Sequence, residues 1–217
     1  MAGSGQATHA AEELVNALTH GVGAAASVVG AAIVIWVALA TGDAGYVAGA
    51  AVYGVALVML YTASTLYHSA RREELKRRLR VLDHCAIYVF IAATYTPLAL
   101  VALTGAWRWG VLGGIWGIAA AGVVYKLFLL GRFPRFSTFT YLGMGWLAVI
   151  ALPLMLGTLE TVTVAWIVAG GVAYSAGTIF FHTKRIRFAH GIWHGFVLTG
   201  SVCHYLAIVG LLAAMAV

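Results

Sequence analysis

Long, nearly uninterrupted runs of apolar residues fill most of the chain, and short polar stretches separate them. A helix needs about 20 apolar residues to cross the hydrocarbon core of a bilayer. In hydrocarbon such a run must be a helix, because any other open segment leaves backbone hydrogen-bonding groups unsatisfied. The pattern therefore predicts an all-α, polytopic bundle of seven transmembrane helices, at roughly 15–40, 45–68, 83–104, 109–130, 138–157, 162–181 and 188–214.

The composition agrees with this pattern and excludes a soluble domain. Hydrophobic residues make up 62% of the 217 residues and charged residues only 9%, whereas soluble domains carry about 25% charged residues. We expect a single seven-helix membrane domain over 12–217, preceded by a short flexible tail over 1–11. This tail has no basic region of the kind that opens a cleaved secretory signal.

The basic residues predict the orientation of the bundle. They collect in the loops after the second, fourth and sixth runs, namely Arg71, Arg72, Lys76, Arg77, Arg78, Arg80, Arg132, Arg135, Lys184, Arg185 and Arg187. By the positive-inside rule these loops and the N-terminus are cytoplasmic, and the C-terminus lies outside. The net charge of +6 is thereby explained by topology, and we expect no nucleic-acid partner.

Small residues inside the runs have structural interpretations. Cys85 and Cys203 fall within predicted spans without a paired spacing, which indicates buried thiols rather than a disulfide. The glycines of GVLGGIWG (110–117) and the small residues of GGVAYSAG (170–177) have the spacing of closely packed helices, and we expect both segments to pack against a neighbour.

Polar residues that are costly in hydrocarbon gather at the cytoplasmic ends of several spans. His190 and His194 stand four residues apart at the start of the seventh span, hence on one face and about 6 Å apart along the axis. Ser64 and His68 lie one turn apart at the end of the second span, and Asp83 opens the third. Topology brings these residues, which are remote in sequence, to one membrane leaflet.

This combination predicts a metal site. An H-x3-H pair on a helix supplies two imidazoles to one metal, and His68 from a neighbouring helix completes a three-ligand set with the fourth position open. Three neutral histidines with an open position are typical of hydrolytic zinc, which lowers the pKa of a bound water to about 7. Asp83 is the candidate general base, and Ser64 is a candidate to orient a ligand, the water or the substrate oxyanion.

Each of these residues also has a plainer interpretation. His68 alone would be an interfacial histidine, and Asp83 alone would be a helix cap. Their convergence with His190 and His194 favours the metal, because ionisable residues inside a membrane are functional by default.

Other polar residues near these ends have open roles. Glu13, which shares the start of the first span with Asn16 and His20, has three interpretations: pairing with the basic loops, capping the first helix, or supporting the site from outside the ligand set. His84 points about 100° away from Asp83 around the helix and ranks below His68 as a ligand. The two remaining candidates are His182, a loop histidine or a support of the site, and His204, which lies about 15 Å deeper than His194 and is expected to hydrogen-bond another helix.

With these residues in place, the sequence resembles the hemolysin III family, which is related to the progestin and adipoQ receptors and hence to the adiponectin receptors. The resemblance is carried by EELVNALTHGVG, STLYH, LDHCAIYVFIAATYTP and HGIWHGFVLTGSVCHYLAI. It implies a seven-helix bundle with zinc near the cytoplasmic surface, held by His68, His190 and His194, with Asp83 holding a water beside the zinc and Ser64 nearby. It also implies a plasma-membrane location and, from the adiponectin-receptor branch, hydrolysis of ceramide-like lipid amides.

We therefore expect a Zn²⁺-dependent hydrolase that acts on amide or ester bonds of membrane lipids and serves lipid homeostasis. One alternative is a non-enzymatic membrane sensor or regulator with a structural zinc site. Another is a haemolysin-type pore, although no span shows the polar stripe that a water-filled lumen needs. Membrane lipids are the expected partners, and association into a homo-oligomer is left open.

Overall fold

The computed structural model of the chain describes residues 2–130, 132, 134–183 and 185–216, with side chains from residue 8 onward except that of residue 134. The described residues form seven helices and no strand. The helices are α1 (Ala2–Leu39), α2 (Ala44–Ser69), α3 (Glu73–Ala102), α4 (Gly105–Leu129), α5 (Pro134–Met155), α6 (Thr161–His182) and α7 (Ala189–Ala214).

All seven helices are long and apolar enough to cross a membrane, which confirms the predicted fold class. Most boundaries agree with the apolar runs, but α1 and α3 begin well before the predicted positions, at Ala2 and Glu73. Residues 2–11, where we expected a flexible tail, thus continue α1; the flexibility of this segment stays a prediction. Met1 and the loop residue Lys184 lie outside the described residues.

The early start of α3 has a local cause and corrects one interpretation. The first turns of α3 are charged, and Glu74 forms an ion pair with Arg77 at i,i+3 and another with Arg78 at i,i+4. Such pairs stabilise a helix outside the hydrocarbon, where hydropathy gives no signal. The N-cap of α3 is Arg72, so Asp83 lies inside the helix and its interpretation as a cap is wrong.

The helices pack around α3, whose membrane-spanning window is the most buried of the seven. α1 lies along α2 and α7, α6 lies along α7, and α3 packs on α2 and α4, whereas α5 makes the sparsest contacts. Close approach is marked by glycines: a Cβ at Gly54 would clash with Ala31, and one at Gly122 would clash with the ring of Tyr88. Cys85 and Cys203 are buried and free, as predicted.

The prediction for the glycines of 110–117 is wrong. A Cβ at any of them would meet no described heavy atom within 4 Å beyond its own helix and chain neighbours. The same prediction for GGVAYSAG is confirmed, because a Cβ at Gly170 would clash with His204 of α7. Small-residue spacing thus identified a contact of α6 but not one of α4, whose close approach to α3 is at Gly122.

The connections α2–α3, α4–α5 and α6–α7 lie at one end of the bundle, together with the beginning of α1. We call this end the site end, because His68 at the end of α2 and His190 near the start of α7 meet there. That the site end is cytoplasmic stays a prediction from the positive-inside rule.

Candidate metal centre

His68, His190 and His194 come together at the site end as the sequence predicted. Each offers one ring nitrogen, and these nitrogens all lie within 4.8 Å of one another. The ring centroids of His190 and His194 are 4.6 Å apart, and each lies 5.1 Å from that of His68. The exposed fraction of His194 is only 2%. Three imidazoles from α2 and α7 thus converge on one point inside the bundle.

The ring of His68 is held by a carboxylate from α1. His68 Nδ1 lies 3.1 Å from Glu13 Oε2, and Lys76 Nζ donates to the same oxygen at 2.8 Å. His68 Nε2 is buried and has no hydrogen-bond partner among the described residues. With Nδ1 donating to the carboxylate, Nε2 keeps its lone pair, which is the carboxylate–histidine arrangement that orients a metal ligand.

The same contacts decide between the three interpretations of Glu13. Since α1 begins at Ala2, Glu13 is inside the helix and the capping interpretation is wrong. Pairing with the basic segment and support of the site are both present, in a single carboxylate shared by Lys76 and His68.

His194 is anchored to α1 in a similar way. Its Nδ1 lies 3.2 Å from the backbone oxygen of Asn16 and 3.3 Å from Thr19 Oγ1. Thr19 Oγ1 donates its own proton to the backbone oxygen of Val15 at 2.6 Å, so it accepts from the imidazole. Nδ1 is therefore the donor nitrogen, and Nε2 is left as the ligand nitrogen.

His20 is the member of this cluster that sequence reasoning left without a role. Its ring stacks on that of His194, with centroids 3.5 Å apart and planes 8° apart, and both its nitrogens are buried without a hydrogen-bond partner among the described residues. A signal was available, because Glu13, Asn16 and His20 have the i, i+3, i+7 spacing of one helix face. That face is the one α1 turns toward α2 and α7.

Asp83 and Ser64 line the same internal cavity as His190 and His194. The carboxylate of Asp83 interacts electrostatically with His68 and His20, and its Oδ2 lies 3.4 Å from Nδ1 of the neighbouring His84. Ser64 is buried one turn before His68. The structure places both residues beside the histidines; their catalytic roles stay predictions.

The other histidines lie outside the triad. His204 Nε2 donates to the backbone oxygen of Ile167 on α6 at 3.1 Å, which confirms the expected interhelical hydrogen bond. His182 Nε2 lies 2.9 Å from Thr138 Oγ1 and thereby links α6 to α5. His84 lines the cavity without joining the converging nitrogens.

The cavity runs from the histidines toward the middle of the bundle. Its wall beyond the site is mostly apolar and includes Leu98, Leu152, Ile167 and Val197. A mostly apolar cavity with a few polar groups is typical of sites that bind a small molecule.

These residues fit a metal ion. Two of the three imidazoles have one nitrogen occupied as a donor, and the opposite nitrogen of His68 is buried without a protein partner. Leaving such an acceptor unsatisfied costs about 1–3 kcal/mol, and a shared cation removes that cost. Neutral imidazole is a ligand of zinc and of other late transition metals.

Comparison with known proteins agrees with the motifs. The family of haemolysin-III-related proteins matches residues 8–205. Hemolysin-3 homolog of Bacillus subtilis (strain 168) is 41% identical over 197 residues, covering 91% of this chain and 92% of that protein. Hemolysin-3 of Bacillus cereus is 41% identical over the same length, covering 91% and 90%.

A relative from animals is also similar. Monocyte to macrophage differentiation factor of Homo sapiens is 34% identical over 169 residues, covering 72% of this chain and 67% of that protein. The match to the haemolysin-III-related family, from residue 8 to residue 205, covers His68, His190 and His194. The chain belongs to the hemolysin III family and is a multi-pass protein of the plasma membrane.

Proposed function

We propose that the protein is a zinc-dependent hydrolase of an amide or ester bond in a membrane lipid. The observation that carries the proposal is the convergence of three histidines, two of them anchored to α1, beside Asp83 in a largely apolar cavity. This is the arrangement that hydrolysis of an acyl lipid requires: a cation site, a carboxylate and room for the chain.

His68, His190 and His194 would hold the ion. Three neutral ligands leave the +2 charge of zinc uncompensated, and the ion then supplies Lewis-acid polarisation and an activated water near neutral pH. Glu13 keeps His68 in the tautomer with Nε2 free, and the backbone oxygen of Asn16 does the same for His194. These contacts fix the ligands before the ion arrives, which is why they matter for affinity.

Asp83 is the proton carrier in this proposal. Its carboxylate would take a proton from the attacking water and deliver it to the leaving nitrogen or oxygen. The position inside α3 holds the carboxylate at the cavity wall, and His84 lies within electrostatic reach of it. Ser64, buried on the adjacent α2, would donate a hydrogen bond from its hydroxyl to the oxygen of the carbonyl under attack.

The acyl chain would lie in the apolar part of the cavity. Residues such as Leu98, Leu152 and Val197 line it, and burial of each methylene of a chain contributes about 0.8 kcal/mol. Binding energy from this remote part positions the reacting carbonyl at the polar end. The basic residues of the site end support a cytoplasmic orientation of that end.

The test is metal analysis and turnover on the purified full chain, with a panel of lipid amides and esters. We expect stoichiometric zinc in the wild type and in Asp83→Asn, and a loss of turnover of about 10²–10⁴-fold in Asp83→Asn. Asp43→Asn is the matched control, because Asp43 is an exposed N-cap of α2 at the far end of the bundle and asparagine caps equally well. Zinc binding without turnover of any lipid in the panel would contradict the proposal.

A structural metal is the second candidate, and one observation favours it. The anchored histidines tie α2 and α7 to α1 through Glu13 and Asn16, so an ion there would fasten three helices of a sensor or regulator. Chelation would then lower the unfolding temperature while no lipid is turned over in its presence. Haemolysis, which the names of the Bacillus relatives suggest for those proteins, stays a prediction for this chain.

A further inference from the structure

A buried lysine faces the cavity that the proposed function uses. Lys126 lies in the last turn of α4, and its exposed fraction is 3%. It lines the same cavity as Asp83 and the histidines of α7. The proposed hydrolysis assigns this ammonium no role.

An ammonium in this position needs a partner. A charged side chain inside a membrane protein is costly unless it is paired or faces a functional cavity. Among the described residues, no carboxylate lies within ion-pair distance of Lys126 Nζ. Its neighbours are the aromatic rings of Tyr125 and Tyr141, whose centroids are 5.9 Å and 5.5 Å from Nζ. Ring contacts at this range are weak compared with a counter-ion.

Two further groups of matching chemistry line the same cavity. Ser137 on α5 has an exposed fraction of 3%, and its buried Oγ lies near the hydroxyl of Tyr88, which pairs with Thr140 Oγ1 at 2.7 Å instead. Arg80, an exposed residue of α3, lines the cavity as well as the surface around Lys76. Asp83 is within electrostatic range of Lys126 but farther than an ion pair. Among the described residues, the charged side chains that face Lys126 are thus the cation of Arg80 and the more distant carboxylate of Asp83.

We propose that Lys126, Ser137 and Arg80 bind the anionic oxyacid group, a phosphate or a carboxylate, of a lipid whose acyl chain occupies the cavity. An ammonium, a hydroxyl and a guanidinium are together the donors that bind such a group. An anionic ligand compensates the buried charge of Lys126 and accepts a hydrogen bond from the Ser137 hydroxyl, whereas a neutral lipid leaves that charge uncompensated. The inference rests on the proposed function and narrows its substrate class to anionic lipids.

The test is a binding measurement on the purified, zinc-loaded full chain in neutral detergent. The probes share one acyl chain and differ in the head: oleoyl lysophosphatidate, oleate and mono-oleoylglycerol. We expect the wild type to bind an anionic probe about tenfold or more tightly than the neutral one, as charge-assisted hydrogen bonds in a buried site allow. Equal binding of all three probes would overturn the proposal. Inorganic phosphate binding as tightly as the phosphate lipid would overturn the assignment to a lipid.

Substitutions of Lys126 test whether this residue causes the preference for anionic probes. Lys126→Met keeps the length and removes the charge, and we expect it to bind all three probes alike. Lys126→Arg is expected to restore most of the preference. The matched control is Arg72→Gln, which removes an exposed positive charge at the same end of the bundle but off the cavity. A preference that survives in Lys126→Met would overturn the proposal.

Ser137→Ala covers the case in which Lys126→Met does not fold. This change removes one hydroxyl from a buried position, and we expect a several-fold loss of affinity for the anionic probes with no change for the neutral one. An unchanged preference in Ser137→Ala, with Lys126→Met unfolded, would overturn the assignment.

Binding and turnover separate this inference from the proposed function. If the anionic preference is found but no anionic or neutral lipid is hydrolysed, the proposed hydrolysis fails and the anion site stands. If lipids are hydrolysed but Lys126→Met leaves the binding of anionic and neutral probes unchanged, the proposed hydrolysis stands and the anion site fails.

Discussion

The helices that hold the histidines and the helices that line the rest of the cavity are built differently. α1 lies along both α2 and α7, and two of the three converging histidines are hydrogen-bonded to α1. We call α1, α2 and α7 the histidine half and α4, α5 and α6 the wall half; α3 contacts helices of both halves and also lines the cavity. In the wall half, α5 contacts its neighbours sparsely. Metal ligands must be held to within about 0.5 Å, whereas a cavity for an acyl chain needs room.

In the wall half, α5 is held by a small apolar cluster with α3 and α4, which includes Ile115 and Met144, and by a few polar contacts. Trp146 on α5 donates to Ser175 on α6 at 3.0 Å, and the hydroxyl of Tyr95 on α3 donates to the backbone oxygen of Met144 on α5 at 2.7 Å. The comparison predicts that changes in the histidine half act on metal affinity and changes in the wall half act on lipid binding.

The largest effect is expected from removing a ligand in the histidine half. His194→Ala should lower zinc affinity by at least about a hundredfold, because a structural zinc binds with about 10–16 kcal/mol shared among its ligands. Competition with a chromogenic chelator measures this affinity. His182→Ala, in the wall half at the same end, removes an imidazole that bonds Thr138 and should leave zinc affinity unchanged. Equal losses of zinc affinity in His194→Ala and His182→Ala would contradict the distinction between the histidine half and the wall half.

The next effect concerns the carboxylate behind His68. Glu13→Ala should lower zinc affinity by about 10–100-fold, as expected for the partner of a ligating histidine, because Nδ1 of His68 loses its acceptor. Glu74→Ala is the control, since its ion pairs with described residues are to the exposed Arg77 and Arg78 and not to the site. The chelator competition assay applies again, and an unchanged affinity in Glu13→Ala would mean that α1 does not support the site.

The sequence predicted the seven spans and the triad for identifiable reasons. Apolar run length determines how many helices cross a membrane, and H-x3-H places two imidazoles on one face whatever the helix packs against. Topology then required the end of α2 to meet the start of α7. The predicted starts of α1 and α3 were too late, because hydropathy does not detect the polar part of a helix outside the membrane. In α3 this part is stabilised by ion pairs such as that of Glu74 with Arg78.

The rest of the site depends on how each helix is rotated about its axis. Helices in a membrane are apolar on all sides, so periodicity does not show which face is inward. The stacking of His20 on His194 accompanies the close approach of α1 and α7 at Gly23. The burial of Lys126 accompanies that of α4 and α3 at Gly122. Such contacts between distant helices are not visible in a single sequence.

A smaller effect, on lipid alone, is expected from the wall half. Ala148 on α5 lines the cavity, and Ala148→Phe would fill part of it. We expect about a tenfold weaker binding of an acyl lipid, in the range that one pocket substitution produces, with zinc affinity unchanged. Ile150→Phe is the control, because Ile150 lies on the same helix and its side chain is 73% exposed. A loss of zinc in Ala148→Phe would show that the two halves are coupled.

The smallest effect should come from the outer face of α4. A Cβ at Gly113 meets no described heavy atom within 4 Å beyond its own helix and chain neighbours, so Gly113→Ala adds a methyl group without a clash. In a helix alanine is favoured over glycine by up to about 1 kcal/mol, and we expect unfolding in mixed micelles to shift by no more than this, toward higher stability. A clear loss of stability, or a change in the size of the particle measured by light scattering, would mean that another copy packs on this face. In that event the small-residue spacing of 110–117 would mark an interface of a homo-oligomer, and the wall half would be supported from outside rather than loosely held.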